Sequence, residues 1–155
     1  MLIGRYEEGT GRPYLDAWVD LPDLGQQGWV PFVVDTGADL SMIGPDDCQR
    51  LLLPPSLYDG APHVRKSESP VIGIGGVLYP FLAKARLTVL AASGDAAAAI
   101  QDFDELGIVT PEMTQGYEFA SVLGWDFFSR LDKLGFFRRE QQLFLLTSHE
   151  VAPWG

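Results

Sequence analysis

Cysteine, histidine and basic side chains are scarce in this 155-residue chain, and each scarcity removes a class of function. The one cysteine, Cys48, cannot close an internal disulfide, which implies a reducing compartment or indifference to redox, and a cytoplasmic setting is expected. It sits in Pro45-Asp46-Asp47-Cys48-Gln49-Arg50-Leu51, where acidic neighbours disfavour a thiolate, so a buried structural role is expected rather than a nucleophile. The two histidines, His63 and His149, lie far apart with no companion at metal-ligand spacing, so neither a metal nor a cofactor is expected. Eleven Lys and Arg stand against 21 Asp and Glu, a net charge of −10 that argues against nucleic acid and anionic membrane surfaces as partners. No apolar run approaches a membrane span, and the first residues lack the basic start and apolar stretch of a signal peptide. A Gly-x-Ser-x-Gly elbow is missing, as is a Lys-Ser/Thr pair after the glycine-rich stretch, which removes the serine hydrolase and phosphate-loop readings.

Glycine and proline, by contrast, are plentiful, at 17 and 11 residues, and they punctuate short apolar runs. The pattern predicts a mainly β, closed-barrel-like or sandwich-like fold, with residues 1–155 as a single domain. Leu15, Ala17, Val19 and Leu21 alternate with polar or aromatic partners and predict a strand. A turn over 22–28 follows, and residues 29–35 return. Pro45 opens a short helix to about Leu53, and 54–62 is a Pro-rich loop. A strand starts in 63–68, a hairpin spans 71–78, and Phe81 to Leu90 alternate as a strand. The alanine-rich 91–99 reads as loop, and the acidic group Asp102, Asp104 and Glu105 as solvated loop rather than a calcium site. A strand over 117–123, a helix over 126–133 and a hairpin of 136–139 with 143–147 complete the reading. No internal repeat is evident.

Three short segments carry chemistry. The apolar run Trp29 to Val34 ends in Asp35-Thr36-Gly37-Ala38-Asp39. A carboxylate at the exit of a buried strand is expected to be held rigidly and partly desolvated, which suits proton transfer. Gly37 permits a tight turn that the Thr36 hydroxyl can lock. Gly73-Ile74-Gly75-Gly76, between apolar flanks, reads as a hairpin tip whose amides can close over a ligand without side-chain obstruction. Third, Ser121-Val122-Leu123-Gly124 brings an apolar strand to a glycine where a side chain would collide with a neighbour.

In this order the three segments resemble the retropepsin family of single-lobe aspartic proteases, in its cellular and bacterial branch. The resemblance implies an acid-protease β-barrel with one short helix after Gly124 and an active site completed in a homodimer. It implies an aspartic endopeptidase acting on a peptide or protein substrate, with Asp35 as the catalytic aspartate. Thr36, Gly37 and Ala38 would form the active-site loop, Thr36 bracing it across the subunit interface. Asp39, Gly73, Ile74, Gly75 and Gly76 would contact substrate, with apolar side chains at Val33, Ala38, Ile43, Ile72, Ile74 and Val122 nearby. Hydrolysis by aspartates needs one ionised and one protonated carboxyl, and the chain has one Asp-Thr-Gly, so the partner comes from a second copy. Trp125 follows Gly124 where many members carry an arginine that pairs with the carboxylate at the Asp39 position. The alternative function is a non-proteolytic dimerisation or peptide-binding module on the same fold.

Overall fold

The structure, a computed structural model, describes residues 2–58, 60–73, 76–90, 97–131, 133–137 and 142–146. The expected alternation forms β2 (Pro13–Leu21), which turns through Pro22 to Gly25 into β3 (Gln26–Val34). Leu15, Ala17, Val19 and Leu21 of β2 and Val30, Phe32 and Val34 of β3 face the core, because successive side chains of a strand point to opposite faces. The later long strands are β8 (Phe81–Leu90) and β9 (Ala97–Ile108), paired with each other, while β8 also pairs with β2.

Two short strands close the ring. β4 (Met42–Ile43) runs parallel to β9, and β10 (Val122–Leu123) runs parallel to β3. The two meet each other antiparallel at Met42 and Val122. The circuit β2–β3–β10–β4–β9–β8 and back to β2 is a closed six-stranded barrel, which removes the edges an open sheet would present. Outside the ring, β1 (Leu2–Tyr6) pairs with β2 and with β12 (Gln142–Leu146), and β12 pairs with β11 (Lys133–Phe137). The two-residue β5 (Arg65–Lys66) borders β8. A separate hairpin joins β6 (Val71–Gly73) to β7 (Gly76–Leu78). Its feet, Val71 and Leu78, pack with Met42 and Val109 in a small second core.

The helices are short. α1 (Pro45–Arg50) and α2 (Pro111–Thr114) both start at a proline, whose fixed φ suits a first turn. α3 (Trp125–Phe128) follows Gly124 and buries Phe127 and Phe128. No helix among the described residues is long and apolar enough to cross a membrane.

Several expectations need correction. The helix after Gly124 ends at Phe128 rather than 133, and the strand expected over 117–123 is confined to Val122–Leu123. Residues 97–108 are one strand, not loop. A bulge in β9 pairs Ala83 with Leu106 but Ala85 with Phe103, placing one extra residue on β9. Phe103 and Leu106, three apart, are therefore both buried, while Asp102, Asp104 and Glu105 lie outside. Arg86 holds the Asp102 carboxylate through two hydrogen bonds, at 2.6 and 3.1 Å, and keeps it below the usual carboxylate range. Arg65 pairs with Glu105. The acidic group is thus the exposed side of a strand, with Asp102 and Glu105 paired. Residues 91–96, the 138–141 turn and His149 lie outside the described residues.

Candidate active site

Asp35 is the first residue past β3, at the rim of the barrel. Its amide donates to the Leu123 carbonyl at 3.0 Å, continuing the parallel β3–β10 pairing by one residue. Its Oδ1 accepts from the Gly37 amide at 2.9 Å, and its carbonyl accepts from the Ala38 amide at 3.2 Å. A Cβ on Gly37 would lie 3.2 Å from Asp35 Oδ1, tighter than ordinary contact. The carboxylate is therefore fixed, as expected. It is not desolvated by its own chain: Asp35, Thr36, Gly37 and Asp39 are exposed, and Ala38 is half-buried, because the loop stands beyond the last inward-facing residue, Val34.

The rest of the loop is pinned by α3 and β10. The Trp125 amide donates to the Ala38 carbonyl at 2.7 Å and the Asp126 amide to the Asp39 carbonyl at 3.3 Å. That approach requires Gly124, where a Cβ would lie 2.6 Å from the Ala38 oxygen and 2.9 Å from the Leu40 carbonyl carbon.

Two further residues hold the loop and escaped the sequence reading. Ser41, fully buried, donates its amide and its hydroxyl to the Asp126 carboxylate, the hydroxyl at 2.5 Å, and accepts from the Gly124 amide at 2.9 Å. The arrangement recurs in reverse. The Ser121 hydroxyl donates to Asp47 at 2.5 Å and accepts from the Gly44 amide at 2.9 Å. The main chain repeats it: Val33 donates to the Ser121 carbonyl at 2.8 Å, and Gly107 donates to the Ser41 carbonyl at 3.0 Å. Ser41-Met42-Ile43-Gly44 and Ser121-Val122-Leu123-Gly124 are thus reciprocal partners about the β4–β10 crossing. A shared Ser-apolar-apolar-Gly pattern, four residues long, is the trace of this in the sequence.

The hairpin residues are brought near the rim through the Met42, Leu78 and Val109 cluster. Gly73 ends β6 opposite Gly76, which takes φ +109°, a conformation favouring glycine. Ile74 and Gly75 lie outside the described residues. Ile72 and Val77 form a cross-strand pair, 78% and 57% exposed. Of the apolar residues expected near the cleft, Ile43 is instead fully buried in the main core. Val33 is half-buried, and Val122 is a half-buried residue packed on the second core. No cluster of three or more His, Cys, Asp or Glu suited to a metal occurs among the described residues.

Cys48 is buried, as expected, with its thiol 3.4 Å from the Val109 carbonyl. Burial, opposed in part by Tyr58, pushes the thiol up to about 12. A cavity of about 410 Å³ beside it, lined among others by Leu53, Pro54, Pro111 and Glu112, shares no residue with the Asp35 loop.

No family model matches this sequence, and no curated protein does. Solved structures do. A retropepsin-like aspartic protease from Rickettsia conorii superposes with a TM-score of 0.54 over 93% of this chain and 88% of that one, at 16% identity. An EIAV protease, complexed with the inhibitor HBY-793, aligns over 79% of this chain and 90% of that one at 15% identity, with a TM-score of 0.45. The closed six-stranded barrel and the superposition on the Rickettsia conorii enzyme together establish that this chain has the retropepsin-like aspartic protease fold.

Proposed function

We propose that this protein is an aspartic endopeptidase whose catalytic pair is Asp35 from each of two copies. The observation that carries the reading is a carboxylate held by the Gly37 amide and exposed at the barrel rim. A group with no other described donor than Gly37 is available to a second carboxylate and to water. In the pair one Asp35 is ionised and takes a proton from water as its oxygen attacks the peptide carbonyl carbon. The other, protonated, donates to the carbonyl oxygen, because two adjacent carboxylates share one proton rather than both ionising. The tetrahedral intermediate collapses when a proton passes to the leaving nitrogen and the C–N bond breaks. The second copy also supplies the desolvation that the single chain lacks.

Thr36, exposed beside Asp35, faces the partner loop in this reading, and Gly37 presents its carbonyl to substrate backbone. Asp39, Gly73, Ile74, Gly75 and Gly76 line the path of the peptide, with the β6–β7 hairpin closing over it. The exposed Ile72 and Val77 pair suits apolar substrate side chains. The single buried cysteine suits a cytoplasmic setting. The test is Asp35→Asn, which preserves size and the hydrogen bond from Gly37 but removes the ionisable group. The purified variant should lose cleavage of a fluorogenic peptide library while keeping its circular dichroism spectrum. Cleavage at the wild-type rate would rule out Asp35 as the catalyst, and a wild-type chain that binds peptides but cleaves none would leave a peptide-binding module.

A further inference from the structure

We propose that Trp125 is the apolar anchor by which a second copy of this chain docks beside the Asp35 loop. The inference rests on the paired-aspartate reading and names the contact that brings the pair together. Trp125 opens α3, and its amide is bonded to the Ala38 carbonyl, three residues after Asp35. Three residues span at most about 10 Å, so the indole's attachment point is close to any axis that relates two Asp35 carboxylates. Its neighbours Phe127 and Phe128 satisfy the inward face of α3. Trp125 belongs to neither hydrophobic core and is 55% exposed.

A second copy fits this indole better than a peptide substrate does. The hairpin that would cover a peptide stands on Val71, Leu78, Met42 and Val109, a cluster that Trp125 does not join. Charge excludes the usual alternative for adhesion. Each copy carries −10, and the ionisable side chains of the loop itself, Asp35 and Asp39, are both acidic. Two such loops repel on approach, so an apolar contact beside them is needed to offset the repulsion. A twofold contact uses each residue twice, and tryptophan is among the residues on which interface energy concentrates.

Sedimentation velocity on dilution series of the full chain tests this, with wild type, Trp125→Ala, Trp125→Phe and Asp35→Asn, each checked for fold by thermal unfolding. Trp125→Ala should raise the dimer dissociation constant on the order of tenfold or more, with a smaller effect from Trp125→Phe. Peptidase activity per chain of Trp125→Ala should return to the wild-type level once its concentration exceeds the new constant. Asp35→Asn should remain dimeric. Should the alanine variant fail to fold, the phenylalanine variant carries the comparison. Equal association of the tryptophan variants and wild type overturns the proposal, as does an intact alanine-variant dimer with a raised KM, which would place the indole in the substrate cleft. A wild-type chain that is monomeric throughout also overturns it. A wild-type dimer that is weakened by Trp125→Ala yet cleaves nothing retires the peptidase and leaves the anchor standing.

Discussion

At the scale of single residues, two buried groups set measurable thresholds. Cys48 is neutral in the fold because burial raises its thiol from an ordinary value near 9 to about 12. The unfolded chain loses that proton first, so Cys48 contributes full stability below pH 9 and progressively less as pH rises toward 12. Tyr58, also held protonated chiefly by burial, acts in the same direction. Native protein at pH 8 should leave Ellman's reagent unreacted until urea is added, and Cys48→Ala should flatten the alkaline decline measured by chemical denaturation. Ser41 sets the other threshold. Asp126→Ala strips the acceptor from its amide and hydroxyl and should cost about 1–3 kcal/mol, read by urea unfolding, with kcat/KM falling in parallel. Asp126→Asn keeps an acceptor oxygen and should recover much of both. Asp35's place at a strand exit was legible because an unbroken apolar run ends there. Ser41 and Asp126 were not, since the bond between them joins residues 85 apart and depends on the ring being closed.

At the scale of elements, two glycines of the site should respond in opposite ways. Gly124 lies where backbones touch, and Gly124→Ala pushes a methyl against the Ala38 carbonyl. It should destabilise the chain by about 1–3 kcal/mol and displace the Asp35 loop, lowering Tm and activity together. Gly76 has open space around it, but its φ of +109° is one that valine adopts only under strain. The β6–β7 hairpin is a sheet of its own, standing on Val71 and Leu78, so Gly76→Val should reduce kcat/KM several-fold with little change in Tm. Kinetics unchanged from wild type would remove the hairpin from the catalytic account. β2 and β8 were readable from an uninterrupted period of two, and β3 from an apolar run after a turn. The sequence failed for β9, where the bulge puts Phe103 and Leu106 on one face and breaks the period. It overextended α3, since Leu131 continues the apolar pattern although the helix has already ended.

At the scale of the whole molecule, the proposed dimer would be governed by its charge and its proton count. Two copies carry 2 × −10 = −20, so added salt, by screening, should tighten the dimer, and activity per chain at fixed dilution should rise with ionic strength. The pH–rate profile should be a bell with an acidic optimum. On its acid side both aspartates are protonated and no base is left, and on its alkaline side both are charged and the acid is gone. A profile with a single ionisation would contradict the shared proton. A closed barrel was legible as a class from turn spacing, alternation and the family resemblance. How β4 and β10 close it was not, because they are two residues each and gain their identity from one another. That mutual dependence has a consequence for synthesis. Asp126 is translated 85 residues after Ser41, and at about 5–20 residues per second the growing chain exists for roughly 4–17 s with Asp-Thr-Gly made and its brace still unwritten. Each nascent chain holds the Asp-Thr-Gly motif before it holds the brace that fixes the loop, so the order of translation delays the proposed site until the barrel can close.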